Sequence, residues 1–285
     1  MNNKSRTLIN VIGLPIIVST ILIGDLLFIL FAGLIILLGT KEYIDLLKKH
    51  SIIASSALLY LFQIFLIILS VYYSFTIGLS ENINALPIDY NGFTIDIILV
   101  SFSIPIVLLF FLMIQEIFKK SSKSLSNISC TIFGFIWIGV FINSLVFTRY
   151  MAGPILMLVI FLSLWACDTF AFFFGKKFGK TKIMPDVSPN KTVLGSVCGL
   201  SGSILILLIL SYFKIIELNL FESFILGLIT GGLSQFGDFF ESKLKREINI
   251  KDTSNILSGH GGVLDRFDSL MIISPLLLLF VYLVK

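Results

Sequence analysis

The chain has 285 residues, of which 56% are hydrophobic and only 13% charged, with a formal net charge of +4 and a mean hydropathy of +1.01. A soluble domain carries about 25% charged residues, so this chain lacks the polar surface to face water and the soluble classes are excluded. It reads as an all-α, polytopic integral membrane protein. In a bilayer each segment must satisfy its own backbone groups, and continuous runs such as LLFILFAGLIILL stand where a β-barrel would show alternating ten-residue segments.

A window of about 20 apolar residues per crossing places nine spans, at roughly 7–24, 26–40, 52–77, 93–114, 128–147, 154–175, 193–213, 221–240 and 267–284. The start, MNNKSRTLINVIGLPIIVSTILIG, has basic residues before an apolar run. No small-x-small cleavage site follows, and further apolar segments come at once, so it reads as a retained first helix. The second span is short, and the third is long enough to tilt or to contain a break. There is no internal repeat, no low-complexity segment and no separate soluble domain.

Positive loops stay in the cytoplasm. With the N-terminus inside, the inner segments hold Lys4 and Arg6, then Lys41, Lys48 and Lys49, then Lys119, Lys120 and Lys123. The last two inner clusters are Lys176, Lys177, Lys180, Lys182 and Lys191, and Lys243, Lys245, Arg246, Lys251 and Arg266. Only Arg149, Lys214 and Lys285 remain outside. The first three clusters are explained by topology and anionic headgroups. The last two also carry acidic residues, glycines and prolines, and they bracket the seventh and eighth spans.

The earlier of these is WACDTFAFFFGKKFGKTKIMPDVSPNKT, residues 165–192. Asp168 sits inside an apolar helix, about two turns before its cytoplasmic end, where an ionisable group is costly and marks function by default. The competing role is a helix–helix hydrogen bond or a snorkel to the interface. The five lysines that follow form a basic loop suited to polyphosphate. The GKT at 179–181 is not a phosphate-binding P-loop: Gly175 leaves three residues before the GK pair instead of four, and the segment follows a membrane helix instead of a strand. The acceptor-like triplets at Asn127 and Asn190 fall on the inner side and carry no weight as glycosylation sites.

In GGLSQFGDFFESKLKREINIKD, residues 231–252, a single helix would place Gln235, Asp238, Ser242, Lys245 and Asn249 on one face. This polar stripe starts within the bilayer and emerges at its surface. A carboxylate at the deep end with cations above suits a metal below a phosphate chain, and the plainer reading is an amphipathic helix end with snorkelling lysines. In GHGGVLDRFDS, residues 259–269, Gly259, Gly261 and Gly262 allow tight turns and close approach to a ligand. Asp265 and Asp268 share a face at the start of the last helix, and Arg266 offers a fork for phosphate. His260 has only His50 as a second histidine in the chain and no cysteine near it in sequence, so a zinc site is not expected. Cys130, Cys167 and Cys198 lie in apolar runs and read as core residues. The oxygen ligands favour a hard cation, Mg²⁺ first.

At these residues the chain resembles the phosphatidate cytidylyltransferases, or CDP-diacylglycerol synthases. The pattern Ser-x-x-Lys-Arg, four residues, Lys-Asp, then His-Gly-Gly-x-x-Asp-Arg-x-Asp occupies the 27 residues from Ser242 to Asp268. Gly237-Asp238, Asp168-Thr169 through Phe178-Gly179-Lys180, and Ser188-Pro189 followed by Lys191-Thr192 are similar as well. The resemblance covers roughly residues 150–285 by motif and implies the reaction of CTP with phosphatidate to give CDP-diacylglycerol and pyrophosphate. It implies that Asp238 and Asp265 hold a pair of metal ions, one Mg²⁺ and the second K⁺ or another Mg²⁺. Lys245, Arg246, Lys251, Arg266 and His260 would serve catalysis. Lys176, Lys180, Ser188, Lys191, Thr192, Ser242, Gly261 and Gly262 would line the substrates, with Asp168 and Asp268 in support. A homodimer follows from the same resemblance, with residues 1–150 as scaffold and dimer contact and 151–285 as the catalytic region. The implied setting is a bacterial inner membrane with the site facing the cytoplasm, and nucleic acid is not a partner. The chain departs from the pattern at Asn190, where a lysine is usual, and at Leu194, where a glutamate is usual.

Other readings stay open on the residues alone: a CTP-dependent lipid-alcohol kinase, a non-catalytic CTP-binding membrane protein, and a transporter. The charges gather at one face and in the C-terminal half, whereas a transporter pathway would pair them near the midplane in both halves.

Overall fold

The computed structural model describes residues 3–82, 90–119, 122–254, 256 and 261–284. His260, Gly259 and Lys120 of the sequence reading lie outside them. The regular structure of the described residues is helical, without a ladder of strands; one isolated antiparallel bridge joins Lys182 and Thr192. Among the described residues, six helical stretches are long and apolar enough to cross a membrane, the longest being Ser124–Phe178. The chain divides into two compact units, Asp25–Val146 and the combination of Met1–Gly24 with Phe147–Lys285.

The unit Asp25–Val146 contains α2 (Asp25–Lys49), α3 (Ser56–Asn82), α4 (Tyr90–Phe118) and α5 (Ser124–Gly134), which continues through a π-helical turn, Phe135–Val140. The second span expected at 26–40 runs on to Lys49. An apolar window stops at Lys41, yet the helical period persists: Tyr43, Ile44, Leu46 and Leu47 are buried while Asp45 and Lys48 face outward as an ion pair at 3.1 Å. Neutral hydrogen bonds tie the interior. The Thr40 hydroxyl donates to Gln63, Tyr43 donates to the Cys130 carbonyl at 2.8 Å, and the Ser70 hydroxyl meets Asn143 at 2.6 Å.

The other unit contains α1 (Asn3–Ile23), the later part of α6 (Phe141–Phe178), α7 (Val193–Tyr212), α8 (Leu220–Leu228), α9 (Ser234–Glu247) and α10 (Leu264–Val284). The first helix groups here because Arg149 Nε donates to the Ile21 carbonyl at 2.7 Å. Inside α6 the backbone breaks at Gly153, with φ 77° and ψ 171°, immediately before Pro154. Positive φ is cheap only for glycine, and the following proline forces extended ψ, so the Gly-Pro pair separates two helical segments.

A second π-helical turn, Ile229–Leu233, joins α8 to α9. Helix α9 ends at Glu247, where Asn249 takes φ 56°. The Ile250 amide donates to the Lys245 carbonyl and the Asn249 amide to Arg246, both at 3.0 Å. This is a Schellman cap with asparagine in the left-handed position. The single helix expected over 231–252 therefore stops short. Gln235, Asp238, Ser242 and Lys245 remain on it, while Asn249 terminates it.

Candidate active site

The site grows from the contact of α6 with α7. Glycines permit close approach of helices where lipid supplies no hydrophobic drive. A Cβ on Gly175 would stand 3.2 Å from the Gly195 Cα, and one on Gly199 would stand 2.8 Å from the Cys167 carbonyl oxygen. Helix α7 starts at Thr192, whose hydroxyl accepts the Gly195 amide at 3.1 Å as an N-cap. The loop between α6 and α7 folds back on itself. The Val193 amide donates to Thr181 at 3.0 Å, Ile183 to Lys191 at 3.3 Å, and Ser188 to Met184 at 2.8 Å. Ser188 and Thr192 thus shape the loop, while Lys182, Asn190 and Lys191 project from it into a cavity.

The second wall comes from the π turn and α9. A π turn shifts the hydrogen-bond register and leaves carbonyls for other donors. Here the Gly231 carbonyl accepts Gln235 Nε2 at 2.6 Å and the Cys167 thiol at 3.4 Å. Gln235 Nε2 also reaches the Ser196 carbonyl at 3.1 Å. These bonds lock α6, α7 and α9 together and aim Asp238 inward. Gly237 lies flat against Asp268 and Ser269, so α9 and α10 touch backbone to backbone.

Between these walls lies a cavity of about 550 Å³, in the size range of small-ligand sites. Asp168 and Asp238 both line it and feel each other's charge. Around them stand Lys176, Lys182 and Lys191. Lys191 forms an ion pair with Asp238 and lies 4.4 Å from the Phe239 ring centroid. Lys176 rests over Phe172 at 5.4 Å. Ser242 donates to Asp238 Oδ1 at 3.2 Å.

Asp265 occupies a different setting. Its Oδ2 accepts the Gly262 amide at 2.7 Å, the Thr253 amide at 2.9 Å and the Thr253 hydroxyl at 3.0 Å. Its Oδ1 accepts Lys245 Nζ at 2.6 Å. Gly261, at φ 81°, passes so close that a Cβ would stand 2.6 Å from Asp265 Oδ2. Gly261 and Gly262 wrap this carboxylate. Asp268 is 9% exposed, and its Oδ1 accepts the Ser269 amide at 2.6 Å.

The remaining expected residues are less central. Arg246 donates to the Val187 carbonyl at 3.3 Å and to Ile250 at 2.8 Å, bracing the loop. Lys180, Lys251 and Arg266 are exposed and off the cavity lining. Three residues that sequence reasoning left out of the site belong near it. Lys182 is one of five lysines in its segment, and only the bridge to Thr192 selects it. Gln235 was visible in the polar stripe. Glu241 is 1% exposed, on α9 beside Lys245, and sits four positions before it in sequence.

The donors fit a hard divalent cation. Asp168 and Asp238 offer carboxylate oxygens at an open cavity with lysines placed for phosphate. Among the described residues, no group of three or more His, Cys, Asp or Glu side chains is arranged to hold a metal. Mg²⁺ is commonly held by one or two carboxylates and keeps water and substrate phosphates for the rest. Glu241, Asp265 and Asp268 also cluster around the one ammonium of Lys245. Glu241 and Asp268 also share a hydrogen bond.

Comparison with known proteins finds relatives of this chain. The model of the cytidylyltransferase family matches residues 4–284. The phosphatidate cytidylyltransferase of Staphylococcus saprophyticus is 32% identical over 279 residues, which covers 96% of this chain and 97% of that protein. Its counterparts in Staphylococcus haemolyticus and Staphylococcus aureus are 31% and 30% identical, with the same coverage.

Proposed function

This chain belongs to the cytidylyltransferase family, and from that premise we propose that it transfers the cytidylyl group of CTP to phosphatidate, releasing pyrophosphate. The observation that supports this reading is the cavity in which Asp168 and Asp238 face Lys176, Lys182 and Lys191 at the end of apolar helices. A polar, charged pocket there admits a nucleotide triphosphate from water while a lipid keeps its tails among the helices.

In the proposed step, a phosphate oxygen of phosphatidate attacks the α-phosphorus of CTP. A new P–O bond forms there, the bond from that phosphorus to the bridging oxygen of the β-phosphate breaks, and pyrophosphate leaves with the electron pair. The nucleophile is already anionic, so no residue must remove a proton. Catalysis reduces to alignment and charge compensation. Lys182 and Lys191 sit where they neutralise the triphosphate, and Lys176 stands on Phe172 at the apolar side, suited to the lipid phosphate. Asp238 would hold Mg²⁺ with Asp168 in support, and the resemblance makes Asp265 the partner for a second ion. When bound, the metal would offset repulsion between the two phosphate groups. The reading includes a site facing the cytoplasm and a homodimer.

The test uses purified protein in phospholipid vesicles with phosphatidate and α-labelled CTP, with and without Mg²⁺. Metal-dependent label in the lipid, with pyrophosphate released, is the expected result. Label reaching lipid only from γ-labelled CTP would replace this reading with a lipid kinase. Sedimentation in detergent checks the dimer, and protease access to the Lys182–Lys191 loop in oriented vesicles checks the face.

A further inference from the structure

Lys245 lies between two carboxylates that are treated differently. Its ammonium is 2.6 Å from Asp265 Oδ1 and 3.4 Å from Glu241 Oε1. The side chains are 9%, 7% and 1% exposed for Lys245, Asp265 and Glu241. Asp265 is fully supplied with donors, as described above. Glu241 is not: beyond the Lys245 ammonium, its buried carboxyl faces the Asp268 carboxyl, with which it shares a hydrogen bond, and no backbone or side-chain N–H donates to it. Two buried carboxyl groups set side by side need a cation within reach.

We propose that Glu241 is the second seat of Lys245, a positioning residue that receives the ammonium when a cation takes Asp265. This inference rests on the proposed metal-dependent reading of the site. The geometry supplies the device. Asp265 Oδ2 is fixed by three donors from Thr253 and Gly262, so the carboxylate stays oriented whatever happens at Oδ1. Lys245 covers Oδ1 as a substitute cation. To expose it, the ammonium must leave without becoming an unpaired buried charge. Glu241 is one helical turn away on the same face of α9, already within ion-pair distance and held in place by its hydrogen bond with Asp268. A small side-chain rotation exchanges one ion pair for the other. Without Glu241 the lysine has no other carboxylate within ion-pair distance among the described residues, so it competes with the cation for Asp265.

The experiment measures Mn²⁺ binding to the purified, substrate-free protein in detergent, from the free-ion electron paramagnetic resonance signal. Wild type, Glu241→Gln, Lys245→Met and the double variant are compared, with thermal melting to verify folding. Glu241→Gln is expected to weaken Mn²⁺ binding by about 10-fold, the scale of residues that support metal ligands. In the Lys245→Met background the same substitution is expected to have no effect, because the competitor is gone. Equal affinity of Glu241→Gln and wild type would overturn the proposal. So would an equal loss in both backgrounds, which would make Glu241 act on the cation independently of Lys245. If Lys245→Met does not fold, Lys245→Gln serves in its place. Wild type lacking cytidylyl transfer but showing this Mn²⁺ pattern would sink the functional reading and leave the exchange standing. Normal transfer without the pattern would do the reverse.

Discussion

The two units differ in the kind of polar group they bury. In Asp25–Val146 the groups named above pair with one another, while Gln63 Nε2 and Gln115 Oε1 are buried without a hydrogen-bond partner. Thr40 meets Gln63, Ser70 meets Asn143, and Glu116 is matched by Lys119 at 3.0 Å and Asn127 at 3.4 Å. In the unit built from Phe147–Lys285, Glu241, Asp265 and Asp268 share one lysine, and Asp168 and Asp238 face a cavity. Matched polar pairs act as helix–helix adhesive. An unmatched excess of one charge is tolerated where a ligand completes it.

The largest test of this contrast removes one carboxylate of the charged cluster. Asp238→Asn and Asp265→Asn are each expected to reduce cytidylyl transfer by at least about a thousand-fold, the scale of removing a preorganised electrostatic group. Unchanged membrane insertion and melting would show that the loss is chemical. Retained turnover at ordinary Mg²⁺ would take that residue out of the ion site. Asp168→Asn is expected to cost about 10- to 100-fold, read as a raised Mg²⁺ requirement in the same assay. A complete loss would place Asp168 on an equal footing with Asp238, which its position in the cavity wall makes a sharp question. The smallest effect belongs to the matched unit. Asn143→Ala, which frees Ser70, is expected to cost about 0.6 kcal/mol of stability, seen as a lower melting temperature with KM for CTP unchanged. A large change in KM there would break the distinction between the units.

The cap at Asn249 shows where sequence reasoning stopped. Spacing alone continued the polar stripe through Asn249, since 245 and 249 share a helical face. Asparagine is one of the few residues at home in the left-handed region, and the chain turns there. Thr253 is then brought to Asp265 from 12 residues away, a contact that no periodicity encodes. Gly261 and Gly262 were legible as places of close approach, and the group they approach in the structure is Asp265. Lys182 was indistinguishable from Lys180 in the string. The backbone bridge to Thr192 turns one into the cavity and leaves the other in the open.

What the sequence determined by itself is what local composition controls. Apolar runs longer than a bilayer is thick demand helices, because no other open structure satisfies its backbone in lipid. Charges confined to a few short stretches mark the reactive segments, because burying them is costly. The spacing of Ser242 through Asp268 was dense enough to carry a family resemblance. Only the tertiary structure decided which charges meet. Two aspartates expected to play the same part are separated into an open one at the cavity and an enclosed one under Lys245. Glu241 gains its significance only because α9 packs on α10. Ion pairing depends on distances of a few ångströms between residues far apart in the chain, and those distances are fixed by helix packing, not by the order of residues.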